Sequence, residues 1–132
     1  MDASRAPGSR ALRGLLYVGG AVATAAGLDT VVRGARSVPG EQAANPSLES
    51  ELRYYGAYYA AFGVAVLRVA PRADRDTAAV RGLAGVLFLA GLARAGGWLR
   101  AGRPHRLQRA LLAIELAAPP AVVGWQARLT RG

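Results

Sequence analysis

The sequence predicts an all-α protein, an antiparallel up-down-up-down bundle of four transmembrane helices. Four apolar stretches of 18 or 19 residues approach the ~20 residues that an α-helix needs to cross the hydrocarbon core of a bilayer. Hydrophobic residues make up 52% of the 132-residue chain, and most of the charged residues lie between the stretches. The predicted spans are residues 14–32, 52–70, 82–99 and 110–127.

A soluble four-helix bundle is the alternative architecture. Its helices would need a polar face on which charges recur every turn or so. Residues 14–28 and 116–127 contain no charged residue at all. The charge pattern therefore favours the membrane.

Residues 1–10 are predicted to form a disordered polar segment, and residues 11–132 a single membrane domain. Basic residues precede the first span, and Ala21-Val22-Ala23 resembles a signal-peptide cleavage site. Because three more apolar spans follow, we expect the first helix to be retained.

Helix-breaking and capping residues separate the spans. Asn45 and Pro46 precede acidic residues that suit the start of the second helix. Pro71 ends that helix, and Asp76 is positioned to cap the third. Gly102 and Pro104 predict a tight turn before the fourth span.

Each span carries an ionisable residue near one end: Asp29, Arg53, Arg94 or Glu115. A charge inside a lipid-embedded helix costs a few kcal/mol unless it is paired or used. Arg94 and Glu115 lie five residues from the facing ends of spans three and four, so an antiparallel hairpin places them at equal depth. We expect the two acids and two bases to form one buried cluster in the outer half of the bundle.

Four tyrosines follow Arg53 and extend the set of polar groups along the second span. The predicted ligand-binding residues are Asp29, Arg53, Tyr54, Tyr58, Arg94 and Glu115. Two structural alternatives remain open: an ion-pair network that fixes helix register, and an aromatic belt at the membrane interface. Pro119 and Pro120 leave the carbonyls of Glu115 and Leu116 without helical donors, which either creates acceptors beside the site or only bends the helix.

Composition limits the chemistry. The chain has no cysteine and a single histidine, His105, so thiol redox chemistry and the usual thiolate or histidine metal sites are excluded. We expect no catalytic residue, no metal and no cofactor.

The net charge of +9 comes entirely from arginine, which is concentrated at the span ends. This distribution favours anionic lipid head groups over nucleic acid as the acidic partner. Nine arginines on the side of the termini against seven on the other weakly favour cytoplasmic termini. A homodimer or larger membrane complex is a further expectation.

Three short motifs resemble a known set. The runs Leu52-Arg53-Tyr54-Tyr55-Gly56, Ala93-Arg94 followed by Gly102-x-Pro104, and Glu115-Leu116 before two prolines resemble an uncharacterised, domain-of-unknown-function family of small bacterial four-helix membrane proteins, which is broadly similar to the DoxX-like proteins. The likeness extends from about residue 14 to residue 125. It implies the four-helix membrane fold, with Arg53, Arg94 and Glu115 at the family's polar positions, and it implies no reaction.

These observations predict a non-enzymatic inner-membrane protein of bacteria, acting as an accessory or small-ligand-binding subunit. A homodimeric carrier coupled to a proton or small anion is the alternative. An intramembrane enzyme that uses Glu115 as acid or base ranks last, because no nucleophile is evident.

Overall fold

The computed structural model describes residues 7–41 and 44–131, and within them it contains four α-helices and no strand. The helices are α1 (Pro7–Arg33), α2 (Pro46–Val69), α3 (Thr77–Ala101) and α4 (Arg106–Arg131). Short 3-10 turns, Gly34–Ser37 and Ala70–Arg72, follow α1 and α2. The predicted all-α class with four helices is confirmed, and each predicted span lies within one helix apart from its last residue in α2.

The first helix begins earlier than expected. Residues 1–6 of the predicted disordered segment lie outside the described residues, but residues 7–10 are helical. Proline suits a first helical turn because it lacks the N–H that would have no partner there. Ser9 and Leu12 are buried, and a Cβ on Gly8 would lie 3.0 Å from Leu129. This packing holds the start of α1 in the helical state.

The expected caps are present. The Asn45 side chain accepts a hydrogen bond from the Leu48 N–H (3.0 Å), and the Asp76 side chain accepts one from the Ala79 N–H (3.1 Å). Each satisfies an N–H group that the first helical turn leaves without a partner. Gly102, with φ of 93°, ends α3 in a conformation that favours glycine.

The described residues form two compact units, one of residues 14–41 and 44–71 and the other of residues 7–13 and 72–131. In the first unit, α1 and α2 run antiparallel with their backbones in contact. A Cβ on Gly27 would lie 2.3 Å from the Ala60 nitrogen, and one on Gly63 would lie 2.4 Å from the Thr24 nitrogen. Small residues thus let the backbones of these two helices approach closely.

In the second unit, α3 and α4 pack as an antiparallel hairpin. A Cβ on Gly91 would lie 2.9 Å from the Leu116 side chain and 3.0 Å from the Cβ of Glu115, so this glycine sets the approach of the two helices. Gly82 and Gly85 have nothing within 4 Å of such a Cβ. They make no corresponding contact among the described residues.

Among the described residues, three helical segments are long and apolar enough to cross a membrane: Pro7–Ser37, Thr77–Ala101 and Arg106–Arg131. The segment α2 does not join them, because two arginines and four tyrosines lower its hydropathy. Large apolar side chains face outward, whereas Glu115 and Gln126 are buried. An apolar exterior around buried polar groups suggests a membrane protein.

The contacts of the glycines make a matched prediction. Gly27→Ala forces a methyl group into the backbone of α2 and should lower the free energy of unfolding in detergent by about 1–3 kcal/mol. Gly85→Ala adds the same methyl to open space, where it should be neutral or stabilise the helix by up to about 1 kcal/mol. Equal effects in detergent unfolding titrations would contradict the close contact of α1 and α2.

Candidate functional site

The buried ion pair between Arg94 and Glu115 is the central polar feature of the α3–α4 hairpin. The Arg94 Nε and Nη2 atoms each donate a hydrogen bond to one carboxylate oxygen of Glu115, and both donor–acceptor distances are 2.8 Å. This bidentate geometry matches the planar guanidinium to the planar carboxylate. Only 4% of the Glu115 side chain is exposed, against 33% of the Arg94 side chain. The carboxylate is thus neutralised inside the hairpin while part of its partner stays accessible.

The surroundings of the pair come from both helices. Gln108, nearly two turns before Glu115 on α4, accepts a further hydrogen bond from Arg94 Nη1. Gly91, one turn before Arg94, leaves the space in which the Glu115 side chain passes between the helices. Pro119 is buried on the same helix and leaves the Glu115 carbonyl without a helical N–H donor. A guanidinium, an amide and a backbone acceptor therefore accompany the carboxylate.

Asp29 and Arg53 have other partners. Asp29 pairs with Arg33 one turn later (3.3 Å), where both side chains are well exposed. Arg53 Nη1 donates to the carbonyls of Val31 (2.6 Å) and Val32 (3.0 Å). These carbonyls belong to the last turn of α1, whose acceptors lack helical donors. Arg53 therefore caps the C-terminus of α1.

Glu49 completes the cap. Its carboxylate lies 3.6 Å from Arg53 Nε and accepts a hydrogen bond of 3.3 Å from the Ala35 N–H. Gly34, with φ of 58°, lies against this carboxylate and has no room for a side chain. The cap thus ties the start of α2 to the end of α1 through an arginine and a glutamate.

The structure brings together two of the four predicted cluster residues, Arg94 and Glu115. Asp29 and Arg53 lie in the other compact unit and form no ion pair with each other within the described ranges. A single cluster of all four stays a prediction.

The tyrosines form a surface row on α2. Tyr54 and Tyr58 are 55% and 62% exposed, their hydroxyls lie 3.3 Å apart, and their ring centroids are separated by 4.8 Å. Tyr55 packs edge-on against Tyr54 at 5.6 Å. The rings pack against one another and are exposed on the surface of the protein, as expected for aromatic residues at a membrane interface. Their role in ligand binding stays a prediction.

A second polar cluster, at the opposite end of the hairpin, was missed by the sequence interpretation. Arg13 donates to Asp74 Oδ1 through Nε (3.1 Å) and Nη2 (2.6 Å), and Gln126 Nε2 donates to the Ala73 carbonyl (2.6 Å). Burial raises the pKa of Asp74, but the hydrogen bonds from Arg13 and from its own backbone outweigh this and lower it overall. Gln126, the lone amide in the last predicted span, was the available signal.

The polar groups of α4 lie along one stripe. Its buried residues include Glu115, Pro119 and Gln126, and the partly buried Gln108 continues the same face toward the helix start. From Gln108 to Gln126 is about 27 Å at 1.5 Å per residue, close to the thickness of a bilayer core. The Oε1 atom of Gln126 is buried and has no hydrogen-bond partner in the described part of the chain. Polar groups therefore mark both ends of this stripe.

Comparison with known proteins gave one finding. Residues 11–126 match the model of a family described as Domain of unknown function (DUF4345). No curated protein and no solved structure matches the chain.

The ion pair predicts a strong energetic coupling. Arg94→Gln leaves a buried carboxylate without a cation and should lower the free energy of unfolding by about 3 kcal/mol. Glu115→Gln should cost less, because Arg94 keeps its exposed portion. In the double variant the losses should fall short of additivity by about 1–3 kcal/mol.

The exposed Asp29–Arg33 pair is the matched control for this double-mutant cycle. Its coupling energy, measured with Asp29→Asn and Arg33→Gln in the same detergent titration, should stay near 0.5 kcal/mol. Additive losses at Arg94 and Glu115 would show that their pairing does not stabilise the fold.

Proposed function

Because this chain belongs to the DUF4345 family, whose name assigns no activity, we propose a function from its own site: a small multi-pass membrane protein that acts as an accessory subunit and binds a small solute at Arg94. The contrast in exposure within the ion pair carries this proposal. Glu115 is buried and holds the guanidinium in one orientation, and one third of the Arg94 side chain remains exposed. This exposed edge gives a solute access to the oriented guanidinium.

The chemistry of the site favours a small oxyanion. An oriented guanidinium recognises carboxylates and phosphates through paired N–H donors. Gln108 supplies an amide next to it. The pair is electrically neutral, so an approaching anion meets the arginine without the field of an unbalanced carboxylate. Small carboxylates and inorganic phosphate are therefore the solutes to examine.

An enzymatic role is weaker. Both carboxylate oxygens of Glu115 accept hydrogen bonds from Arg94, and only 4% of the side chain is exposed, which gives a substrate little access to the group. A non-enzymatic role accounts for this arrangement with fewer assumptions.

A carrier is the second candidate, and the stripe on α4 favours it. Gln108, Glu115 and Gln126 share the buried face of one membrane-length helix. The gap between Glu115 and Gln126 is about 16 Å at 1.5 Å per residue and contains few polar groups, which weakens the path. In this proposal Glu115 exchanges a proton as an anion passes Arg94, and two copies form the working unit.

The three apolar helices support a membrane location. The proposal places the chain in the bacterial cytoplasmic membrane with both termini in the cytoplasm, in line with the weak arginine bias. Assembly as a homodimer or within a larger complex belongs to the same proposal.

Solute binding is tested by thermal unfolding in detergent with acetate, succinate and inorganic phosphate as probes. The proposal expects at least one probe to raise the unfolding midpoint of the native chain, since a ligand at a hundred times its Kd adds about 2.7 kcal/mol. Arg94→Gln/Glu115→Gln should lose this response, and the control variant Asp29→Asn/Arg33→Gln should keep it. No response in the native chain, or an equal response in the site variant, contradicts solute binding at Arg94.

Liposome flux separates the two candidates. A carrier should take up the responding probe when a pH gradient is imposed, and Glu115→Gln should abolish that uptake. An accessory binding protein should show no such flux.

Membrane topology is tested with single cysteines, because the native chain has none. The exposed positions Glu41, Arg75 and Arg103 each receive a cysteine, and a membrane-impermeant maleimide is applied to intact cells. Four crossings place positions 41 and 103 on one side and position 75 on the other. If α2 does not cross, positions 41 and 75 label together, and labelling of all three would show that neither α2 nor α3 crosses.

A further inference from the structure

The turn between α3 and α4 carries the densest run of arginines in the chain. Arg100, Arg103, Arg106 and Arg109 occur within ten residues, and no Asp or Glu lies between Asp76 and Glu115. Arg100, Arg103 and Arg106 are exposed. We call these four residues the arginine tip.

Half of the twelve other arginines in the described part of the chain form ion pairs with acids. Ion pairs with aspartate or glutamate involve Arg13, Arg33, Arg53, Arg72, Arg75 and Arg94. No ion pair or side-chain hydrogen bond joins an arginine of the tip to another described residue, and the Nε atom of Arg109 is buried without a partner. The tip thus holds four positive charges that the fold itself does not balance.

The helix dipole adds to this imbalance. The N-terminus of a helix is partly positive, so acidic residues stabilise it and basic residues do not. Glu49 lies in the first turn of α2, and Asp76 caps α3. The first turn of α4 contains no acid, and it starts at Arg106 with the arginines already described. These charges repel the helix end as well as one another.

Apolar side chains flank the same charges. Leu99 is 87% exposed next to Arg100, and Leu107 is 46% exposed next to Arg106. Both helices are long and apolar enough to cross a membrane, so their shared end lies where head groups meet acyl chains. Arginine binds phosphate through paired donors, and leucine next to it suits an acyl chain.

We infer that the arginine tip is a binding site for the phosphate head group of anionic membrane lipids. This inference rests on the proposed membrane location. It assigns a lipid partner to a surface that differs from the Arg94 site, because Arg100, Arg103 and Arg106 are exposed, have no acidic partner among the described residues and lie beside exposed leucines. The exposed leucines favour a lipid over free phosphate, because a soluble anion gains nothing from an apolar flank.

The two native tryptophans provide reporters. Trp98 lies two residues before Arg100, and Trp125 lies near the other end of the hairpin, 3.7 Å from a Cβ built on Gly8. The full chain is reconstituted in phosphatidylcholine vesicles as Trp125→Phe, which leaves Trp98, or as Trp98→Phe, which leaves Trp125. Quenching by phosphatidylglycerol with brominated acyl chains is then compared with quenching by equally brominated phosphatidylcholine.

The site predicts that Trp98 is quenched preferentially by the anionic lipid and that Trp125 is not. Arg100→Gln/Arg103→Gln/Arg106→Gln should lower the preference at Trp98 at least about fivefold, the effect of a single basic residue near an anionic surface. The matched control Arg10→Gln/Arg128→Gln/Arg131→Gln removes three exposed arginines from the other end and should keep the preference. Circular dichroism checks that each variant retains its helices, and Arg103→Gln alone, in the turn, serves if the triple variant does not fold.

Each other outcome overturns the inference. Equal losses in the tip and control variants indicate general surface charge. Loss of the preference in excess inorganic phosphate or soluble glycerophosphate indicates a free-anion site. Flotation of the same vesicles separates the two proposals: a chain that does not float contradicts the membrane location, whereas a floating chain without lipid preference contradicts only the tip.

Discussion

Neutralisation of a buried carboxylate constrains the α3–α4 hairpin more than any other interaction. Glu115 is almost fully enclosed, and an ionised carboxylate in that position is tolerated only with a well-placed cation. Both hydrogen bonds from Arg94 to Glu115 are 2.8 Å long. They form only when the two residues lie at the same depth, which fixes the register of the two helices. Gly91 is a consequence of the same demand, because any side chain there would press against the Glu115 stem.

The same constraint recurs wherever acids are buried or partly buried. Asp74 lies against Arg13, and this pair ties the start of α1 to the connection before α3 within one unit. Glu49 lies against Arg53 and the Ala35 N–H at the end of α1. The chain has few acidic residues, and most of them are held by hydrogen bonds or ion pairs. An arginine can therefore be buried only beside one of these acids. The arginines left over, above all at the α3–α4 turn, face outward.

The sequence could predict the helices, their caps and one ion pair, but not the partners of Asp29 and Arg53. Apolar length, Asn45, Asp76 and the breakers are local signals, and the Arg94–Glu115 pair follows from equal distances to a short turn. Asp29 instead meets Arg33 on its own helix, and Arg53 meets carbonyls of α1. A search for opposite charges does not identify the backbone carbonyls at a helix end as partners. Asp74 was missed because its polar loop is expected to be solvent-exposed.

The hydropathy of α2 and its packing give opposite indications about the membrane, and the packing is the more specific of the two. Gly27 meets Ala60, and Gly63 meets Thr24 and Gly20, so the apolar part of α2 lies antiparallel along the middle of α1. With the backbones this close, α2 cannot shift by one turn along α1 without clashes between side chains and backbone carbonyls. The segment of α1 involved belongs to a span that is apolar enough to cross a bilayer. The polar start of α2, with Arg53 bound to Val31 and Val32, then lies at the end of that span, where an arginine side chain reaches the interface. The low hydropathy of α2 thus comes from its polar start, its tyrosines and Arg68, whereas its apolar part packs along α1, which supports the proposed crossing of α2 beside α1.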